Sequence, residues 1–138
     1  MKAYIQISIL VLSFTLFNSV VKAQKPDALV YMVVDQKAQF PGGQIALEAQ
    51  LEHSIEYPRE ALRKQTEGKV FIRFVILKTG EVTDAKVLKG IGDGCDEEAI
   101  EIIKRMPKWN PAKHQGEIVA SYYTIPIEFK LNKINLAN

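Results

Sequence analysis

The fold is decided by residues 68–89, whose sequence is GKVFIRFVILKTGEVTDAKVLK. The first half of this stretch, residues 70–76, is apolar at nearly every position, which is typical of a strand buried on both faces. Residues 78–81 supply a turn in which Gly80 can adopt a positive φ, and residues 82–89 continue as the paired strand. The stretch therefore predicts a β-hairpin whose first strand lies inside a sheet.

A long strand is predicted near the end of the chain, at residues 118–131. The side chains on one of its faces are apolar and those on the other mostly polar, namely Tyr123, Ile125, Ile127, Phe129 and Leu131 against Thr124, Pro126, Glu128 and Lys130. This alternation predicts one buried face and one face in water. Because proline within a sheet is confined largely to edges and bulges, Pro126 indicates that the strand lies at an edge.

Helical patterns occupy the segments between the strands. Apolar residues recur at helical spacing from Ile45 to near Tyr57, where Pro58 ends the helix and opens a second, short one through Lys64. The next helix is predicted after the hairpin and ends at Pro107; its buried stripe contains Ala99, Ile102, Ile103 and Met106.

These elements predict the topology. A helical crossover after the hairpin leaves the sheet antiparallel only if the last strand lies beside the first strand of the hairpin. We therefore predict an α+β domain with a three-stranded antiparallel sheet in the order 2-1-3 and two main helices packed on one face. Residues 28–34 predict a short N-terminal strand that can cover the exposed edge of the last strand.

The first 23 residues carry the pattern of a secretory signal peptide. Lys2 precedes an apolar run that ends at Val21, and Ala23 suits a cleavage site before Gln24. The alternative is an uncleaved membrane anchor, although about 20 apolar residues are needed to span a bilayer and this run is slightly short. The expected division is residues 1–23 as signal or anchor, 24–40 as an N-terminal segment, 41–131 as the domain and 132–138 as a tail.

Charge and cysteine content restrict the function. The chain contains 18 Lys and Arg and 16 Asp and Glu. Removal of residues 1–23 takes away Lys2 and Lys22 and no acid, so the mature chain is neutral and a nucleic-acid partner is not expected. Cys95 is the single cysteine, which excludes an internal disulfide.

Catalytic and metal-binding functions are not predicted. Cys95 could act as a nucleophile with His53 or His114 as the base. However, the acids within residues 93–98 should disfavour the thiolate that such catalysis requires. Two histidines do not form a zinc signature, and the acidic cluster lacks the ligand spacing of a calcium loop. We expect no catalytic residue, no metal ligand and no cofactor.

Glycines, prolines and aromatic residues recur in a fixed order through residues 41–131. They form the series Tyr57-Pro58-x-x-Ala61, Gly68-x-Val70-x-Ile72-x-Phe74, Gly80-x-Val82-x-Asp84, Ala99, Met106-Pro107-x-Trp109-x-Pro111, Gly116 and Tyr123-x-Ile125-Pro126-Ile127-x-Phe129. This series resembles the TonB C-terminal domain family. The upstream Phe-Pro-Gly-Gly at residues 40–43 is similar to a form of the family found in small exported and membrane-anchored proteins.

The resemblance implies a partner-binding module and not an enzyme. Such a module would capture an extended segment of an outer-membrane TonB-dependent transporter, or of another envelope protein, by β-strand addition. The residues implied in partner binding are Ser121, Tyr122, Tyr123, Thr124, Ile125, Ile127 and Glu128, with Tyr57 nearby. The alternative is a self-associating structural module of the envelope that forms a homodimer through the same edge strand.

The resemblance also implies where the protein is located, and the departures from a full TonB protein limit what it can do alone. The protein is expected in the periplasm, or anchored in the inner membrane and facing the periplasm if the N-terminal segment is retained. The apolar run contains no histidine or acid for proton coupling, and residues 24–40 reach at most about 60 Å. We therefore do not expect energy transduction by this chain alone.

Overall fold

A computed structural model describes residues 29–131, which form three helices and five strands. The expected signal peptide, residues 24–28 and the tail at 132–138 lie outside the described residues. Along the chain the elements are β1 (Val30–Tyr31), α1 (Gly43–Ser54), α2 (Arg59–Lys64), β2 (Gly68–Ile76), β3 (Val82–Lys89), α3 (Cys95–Lys104), β4 (Ala112–His114) and β5 (Glu117–Phe129). None of these helices has the length and apolarity needed to cross a bilayer.

The sheet has the strand order β1-β5-β2-β3, and β4 pairs with β5 outside this path. The pairs β2–β3, β2–β5 and β4–β5 are antiparallel, whereas β1 runs parallel to β5. The predicted α+β class is confirmed. The prediction of a wholly antiparallel, three-stranded sheet is corrected, because β1 adds a parallel pairing and β4 adds a strand that is only three residues long.

The main core lies between β2, β5 and the helices. Val70, Ile72, Phe74 and Ile76 of β2 are fully buried. The register places them opposite the apolar face of β5 for most of its length. The stripe predicted for α3 faces the same core, with Ala99, Ile102 and Ile103 buried and Met106 packed at its border.

The helices end where local signals place them, within a few residues. α1 stops at Ser54 because Ile55 already has extended dihedral angles, three residues before Pro58. α3 begins at Cys95, and the carboxylate of Asp96 in its first turn accepts hydrogen bonds from the main-chain N–H groups of Ile91 (2.8 Å) and Gly92 (3.3 Å). An acid in the first turn also suits the positive end of the helix dipole.

The N-terminal segment is held mainly by β4 and the loop before it. Gln36 exchanges two main-chain hydrogen bonds with Lys113, of 3.0 and 2.9 Å, and Gln39 exchanges two with Asn110, of 2.9 and 2.8 Å. Only β1 reaches β5. The strand predicted at residues 28–34 is therefore reduced to two residues, and it does not cover the whole edge of β5.

Candidate functional site

One side of β5 is partly without a strand partner. On its outer side, Ala120 and Ser121 pair with β1. Glu117–Val119, at the start of β5, pair with β4. On its inner side, β2 pairs with β5 from Ser121 to Phe129. Within residues 29–131, no strand pairs with the outer side of residues 122–128. We call residues 122–128 the open edge.

The direction of the main-chain groups follows from the hairpin. The N–H of Leu77 donates to the carbonyl of Glu81, and the Leu77 carbonyl accepts from the N–H of Gly80, so Leu77 directs both groups toward β3. Since these groups alternate in direction along a strand, Ile76 directs its groups toward Ser121 of β5. The same alternation continues along β5. It directs the main-chain groups of Tyr122, Thr124, Pro126 and Glu128 outward, away from β2.

Pro126 fits this direction. Proline has no main-chain N–H and is tolerated in sheets where that group would face away from the neighbouring strand. Pro126 lies opposite Phe71 of β2, and the register continues on both sides of it without a shift. The open edge therefore offers carbonyl acceptors at every outward position but lacks one donor, at Pro126.

The outer side of β3 also has no strand partner in the described part of the chain, but it is protected. Its register with β2 shifts twice, and Asp84 has a φ of 52°. β3 also carries Lys86 and Lys89. Bulges and lysines are the features by which natural sheets prevent edge pairing. The uninterrupted β5 is therefore the better candidate for a strand-binding edge.

Three residues of the predicted set have neither side chains nor free main-chain groups on the open edge. Ser121 is 2% exposed and has strand partners on both sides, Ile76 in β2 and Tyr31 in β1. Ile125 and Ile127 are buried in the core, and the alternation directs their main-chain groups toward β2. The resemblance implied the whole of residues 121–128 as the binding edge, because a sequence motif does not show where neighbouring strands begin.

The tyrosines in the predicted set have structural contacts. The ring of Tyr122 lies 5.0 Å from the Arg73 guanidinium, on the sheet face opposite the core. The half-buried ring of Tyr123 lies 4.9 Å from that of Trp109 and 5.7 Å from that of Phe74. Both tyrosines thus support the strand that carries the open edge.

Tyr57 is a packing residue beside this edge. Its hydroxyl donates to the carbonyl of Thr66, and its ring meets the Phe129 ring edge-on at 5.7 Å. Burial raises the pKa of Tyr57, and the nearby Cys95 and Glu67 add to the increase. Tyr57 is therefore held as a neutral phenol whose ring forms part of a groove wall.

Two grooves lie along the open edge. The helix groove, of about 700 Å³, has a wall formed by Leu51, Ile55 and Tyr57 and reaches Pro126 and Glu128. The loop groove, of about 430 Å³, is formed by residues 32–34 against residues 122–124. Sequence reasoning missed the grooves. It allowed residues 28–34 to lie against β5 as a strand, which would leave no loop groove, and nothing local shows that α1 lies beside β5.

The candidate nucleophile and bases each have local partners. Cys95 is fully buried at the start of α3. Burial, followed by the charges of Asp96, Asp93 and Glu97, raises the pKa of its thiol to about 11. His53 contacts the carbonyl of Ala49 at 2.7 Å, and His114 lies 3.5 Å from Asp35. Residues 29–131 contain no group of three or more side chains arranged to hold a metal ion.

The Cys95 thiol is predicted to react slowly in the folded protein. At pH 8, Cys95 in the folded protein is expected to react with iodoacetamide at least about 100-fold more slowly than in urea-unfolded protein, because the thiolate is the reacting form. Folding raises the thiol pKa from 9.0 to about 11, and burial also blocks access. Mass spectrometry of timed samples measures both rates. A folded-state rate within tenfold of the unfolded rate would contradict the buried, neutral thiol.

Comparison with known proteins agrees with the motif series. Residues 53–131 match the family described as Gram-negative bacterial TonB protein C-terminal. Over 80 residues, or 56% of this chain, the sequence is 35% identical to the protein TonB2 of Pseudomonas aeruginosa, and this match spans only 28% of that relative.

Two solved structures also match part of this chain. Two solution structures of the Helicobacter pylori TonB C-terminal domain match 64% and 66% of this chain and 80% and 98% of their own. The sequence identities are 26% and 30%, and the TM-scores are 0.49 and 0.48. Since the family match extends over more than half of the 138 residues, this chain belongs to the family of TonB C-terminal domains.

Proposed function

We propose that this protein is a periplasmic, non-catalytic module that captures an extended segment of an envelope protein by adding it as a strand to the open edge. Its partner is an outer-membrane TonB-dependent transporter. The observation that carries this proposal is the unpaired outer side of residues 122–128, in a strand whose inner register is regular. Strand addition uses such an edge because main-chain hydrogen bonds supply affinity whatever the side chains.

The exported state belongs to the same proposal. Residues 1–23 serve as a signal peptide or, if uncleaved, as an inner-membrane anchor, and residues 24–40 connect them to the domain at 41–131. Mass spectrometry of the native N-terminus distinguishes the two: a first residue at Gln24 indicates cleavage. A retained Met1 would favour an anchored role close to transport.

The edge is tested by a proline substitution. Thr124→Pro is expected to weaken peptide binding by about tenfold or more, because it removes an outward N–H and places a ring where the added strand must lie. The probes are synthetic peptides that cover the periplasm-facing segments of the organism's TonB-dependent transporters. Fluorescence anisotropy measures their affinity.

The matched control is Lys104→Ala, which removes an exposed charge on α3, outside both grooves, and is expected to change affinity less than about twofold. Thr124→Pro should remain folded, since Pro126 already occupies the same outward row. Ile127→Pro is unsuitable, because Ile127 is buried and its main-chain groups face β2. Unchanged affinity of Thr124→Pro would exclude the open edge as the binding site.

The alternative is a homodimer in which the open edges of two copies pair. It is favoured by the exposed side chains of Met32 and Val33, 75% and 80% accessible, which a second copy could cover. Light scattering across a range of protein concentrations tests it. A tight dimer that Thr124→Pro dissociates would assign the open edge to self-association and not to a transporter.

A further inference from the structure

We propose that the captured segment is recognised by two large apolar side chains at positions i and i+4, one in the loop groove and one in the helix groove. This inference rests on the strand-addition function and adds a sequence requirement to it. The open edge would thus select among extended segments, because only those with correctly spaced apolar residues fill both grooves.

The spacing follows from the positions of the grooves along β5. The loop groove lies beside residues 122–124, and the helix groove meets the open edge at Pro126 and Glu128. Their centres on the open edge, near residues 123 and 127, are separated by four residues, or about 13 Å along a strand. Since side chains alternate between the two faces of a strand, an even separation places both anchors on the same face.

Each groove has one wall on the core side of the sheet. Val34 and Tyr123 of the loop groove and Leu51, Ile55 and Tyr57 of the helix groove all pack against the hydrophobic core. An added strand therefore directs alternate side chains toward these walls, and the intervening ones toward the opposite face. That opposite face carries Tyr122 and Arg73.

The chemistry of the walls selects apolar anchors. Met32 and Val33 are highly exposed in the free protein, and a side chain in the loop groove would remove part of them from water. The rim of the helix groove carries both charge signs, with Glu48, Glu52 and Glu128 against Lys69 and Lys130. Because a charged side chain would meet charges of its own sign there as well as opposite ones, the apolar wall decides which side chain is accepted.

Strand addition at the open edge gives limited affinity without apolar side-chain contacts. Pro126 removes one of the donors from the open edge, and a main-chain hydrogen bond exchanged for water contributes little net affinity. Burial of a leucine-sized side chain increases affinity by about tenfold or more. Each anchor should therefore contribute more to affinity than a single hydrogen bond at the edge does.

Selection from a peptide library tests the spacing. The protein is panned against phage-displayed random peptides of about nine residues, a length that spans both grooves. Selected peptides are expected to share two large apolar residues at i and i+4. In the synthetic consensus peptide, movement of the second apolar residue to i+3 is expected to lower affinity by about tenfold or more. Retention of affinity within threefold would overturn the inference.

Protein variants test the loop groove directly. The double substitution Met32→Ser with Val33→Ser is expected to weaken binding of the consensus peptide by about tenfold. The matched control is Leu29→Ser with Ile45→Ser, which changes two residues that are 69% and 82% exposed but line neither groove. The control is expected to bind as the unchanged protein does, and equal losses in the two variants would overturn the inference.

The outcomes separate this inference from the proposed function. Loss of binding in Thr124→Pro without an effect of the Met32 and Val33 changes would leave strand addition intact and remove the groove requirement. Peptides whose binding is insensitive to Thr124→Pro would remove strand addition itself. A tenfold rise in affinity after deletion of residues 132–138 would identify the chain's own tail as the occupant and overturn the assignment to a partner.

Discussion

Replacement of Trp109 by alanine is expected to lower the free energy of unfolding by about 3 to 5 kcal/mol. Trp109 is 3% exposed and is the single tryptophan of the chain. Its ring contacts those of Phe40 at 5.4 Å, Phe74 at 5.7 Å and Tyr123 at 4.9 Å. Alanine would leave a cavity between the N-terminal segment, β2 and β5, which these aromatic side chains cannot fill without moving.

The matched variant is Trp109→Phe. It keeps most of the apolar contact and removes the indole Nε1, which is buried and has no hydrogen-bond acceptor among the described residues. An unsatisfied buried donor is itself unfavourable, so Trp109→Phe is expected to cost only about 1 kcal/mol. Urea denaturation followed by circular dichroism measures both variants. Similar losses of unfolding free energy in the two variants would indicate that the indole Nε1 makes a stabilising polar contact.

Replacement of Gly80 by alanine is expected to lower the free energy of unfolding by about 3 kcal/mol. Gly80 has a φ of 86°, and a Cβ atom there would lie 2.1 Å from the main-chain carbonyl oxygen of Trp109. The left-handed conformation costs an alanine about 1 to 2 kcal/mol, and the overlap costs about 1 to 3 kcal/mol more. The substitution would also disturb the 2.8 Å hydrogen bond from the Trp109 N–H to the Gly80 carbonyl.

Gly116→Ala is the control for the close approach between Gly80 and the Trp109 carbonyl. Gly116 has a φ of 78° in the turn between β4 and β5, but a Cβ atom there would have no neighbour within 4 Å. Only the backbone strain remains, so a loss of about 1 kcal/mol is expected. Urea unfolding followed by Trp109 fluorescence compares the two alanine variants. Equal losses would show that the contact between the hairpin turn and Trp109 relaxes without cost.

These two positions connect the core to the candidate site. The hydrogen bond between Gly80 and Trp109 joins the turn of the β2–β3 hairpin to the loop that follows α3. Trp109 in turn packs against Tyr123, which lies within the open edge. Changes at either position are therefore expected to alter the shape of the loop groove as well as the stability of the domain.

Strong periodicity made several elements predictable from sequence. Residues 82–89 form β3 as predicted, and the alternation across residues 123–129 matches the buried and exposed faces of β5. The i, i+3, i+4 spacing around Ile102 and Ile103 correctly placed the buried face of α3. Such patterns are readable because each element must direct its apolar side chains to one core, whichever neighbours surround it.

The sequence did not show the extent of β1 or the existence of β4. β4 has three residues, fewer than a period-2 pattern requires, and β1 forms only where Val30 and Tyr31 meet Ala120 and Ser121. The burial of Ser121 follows from that contact, so the strand pattern could not distinguish this residue from Thr124. The acidic residues near Cys95 did indicate an inert thiol, although burial is the larger cause of its raised pKa.

The sequence by itself determined the α+β class, the hairpin, the faces of the long strands and the family, because these depend on local spacing and on motifs preserved along the chain. The tertiary structure alone decided which part of β5 remains unpaired and which side chains stand beside it. Gln36 and Gln39 bind the N-terminal segment to β4 and the preceding loop, so β1 covers only the start of that edge. Contacts between residues about 80 positions apart set this limit, and no local pattern encodes them.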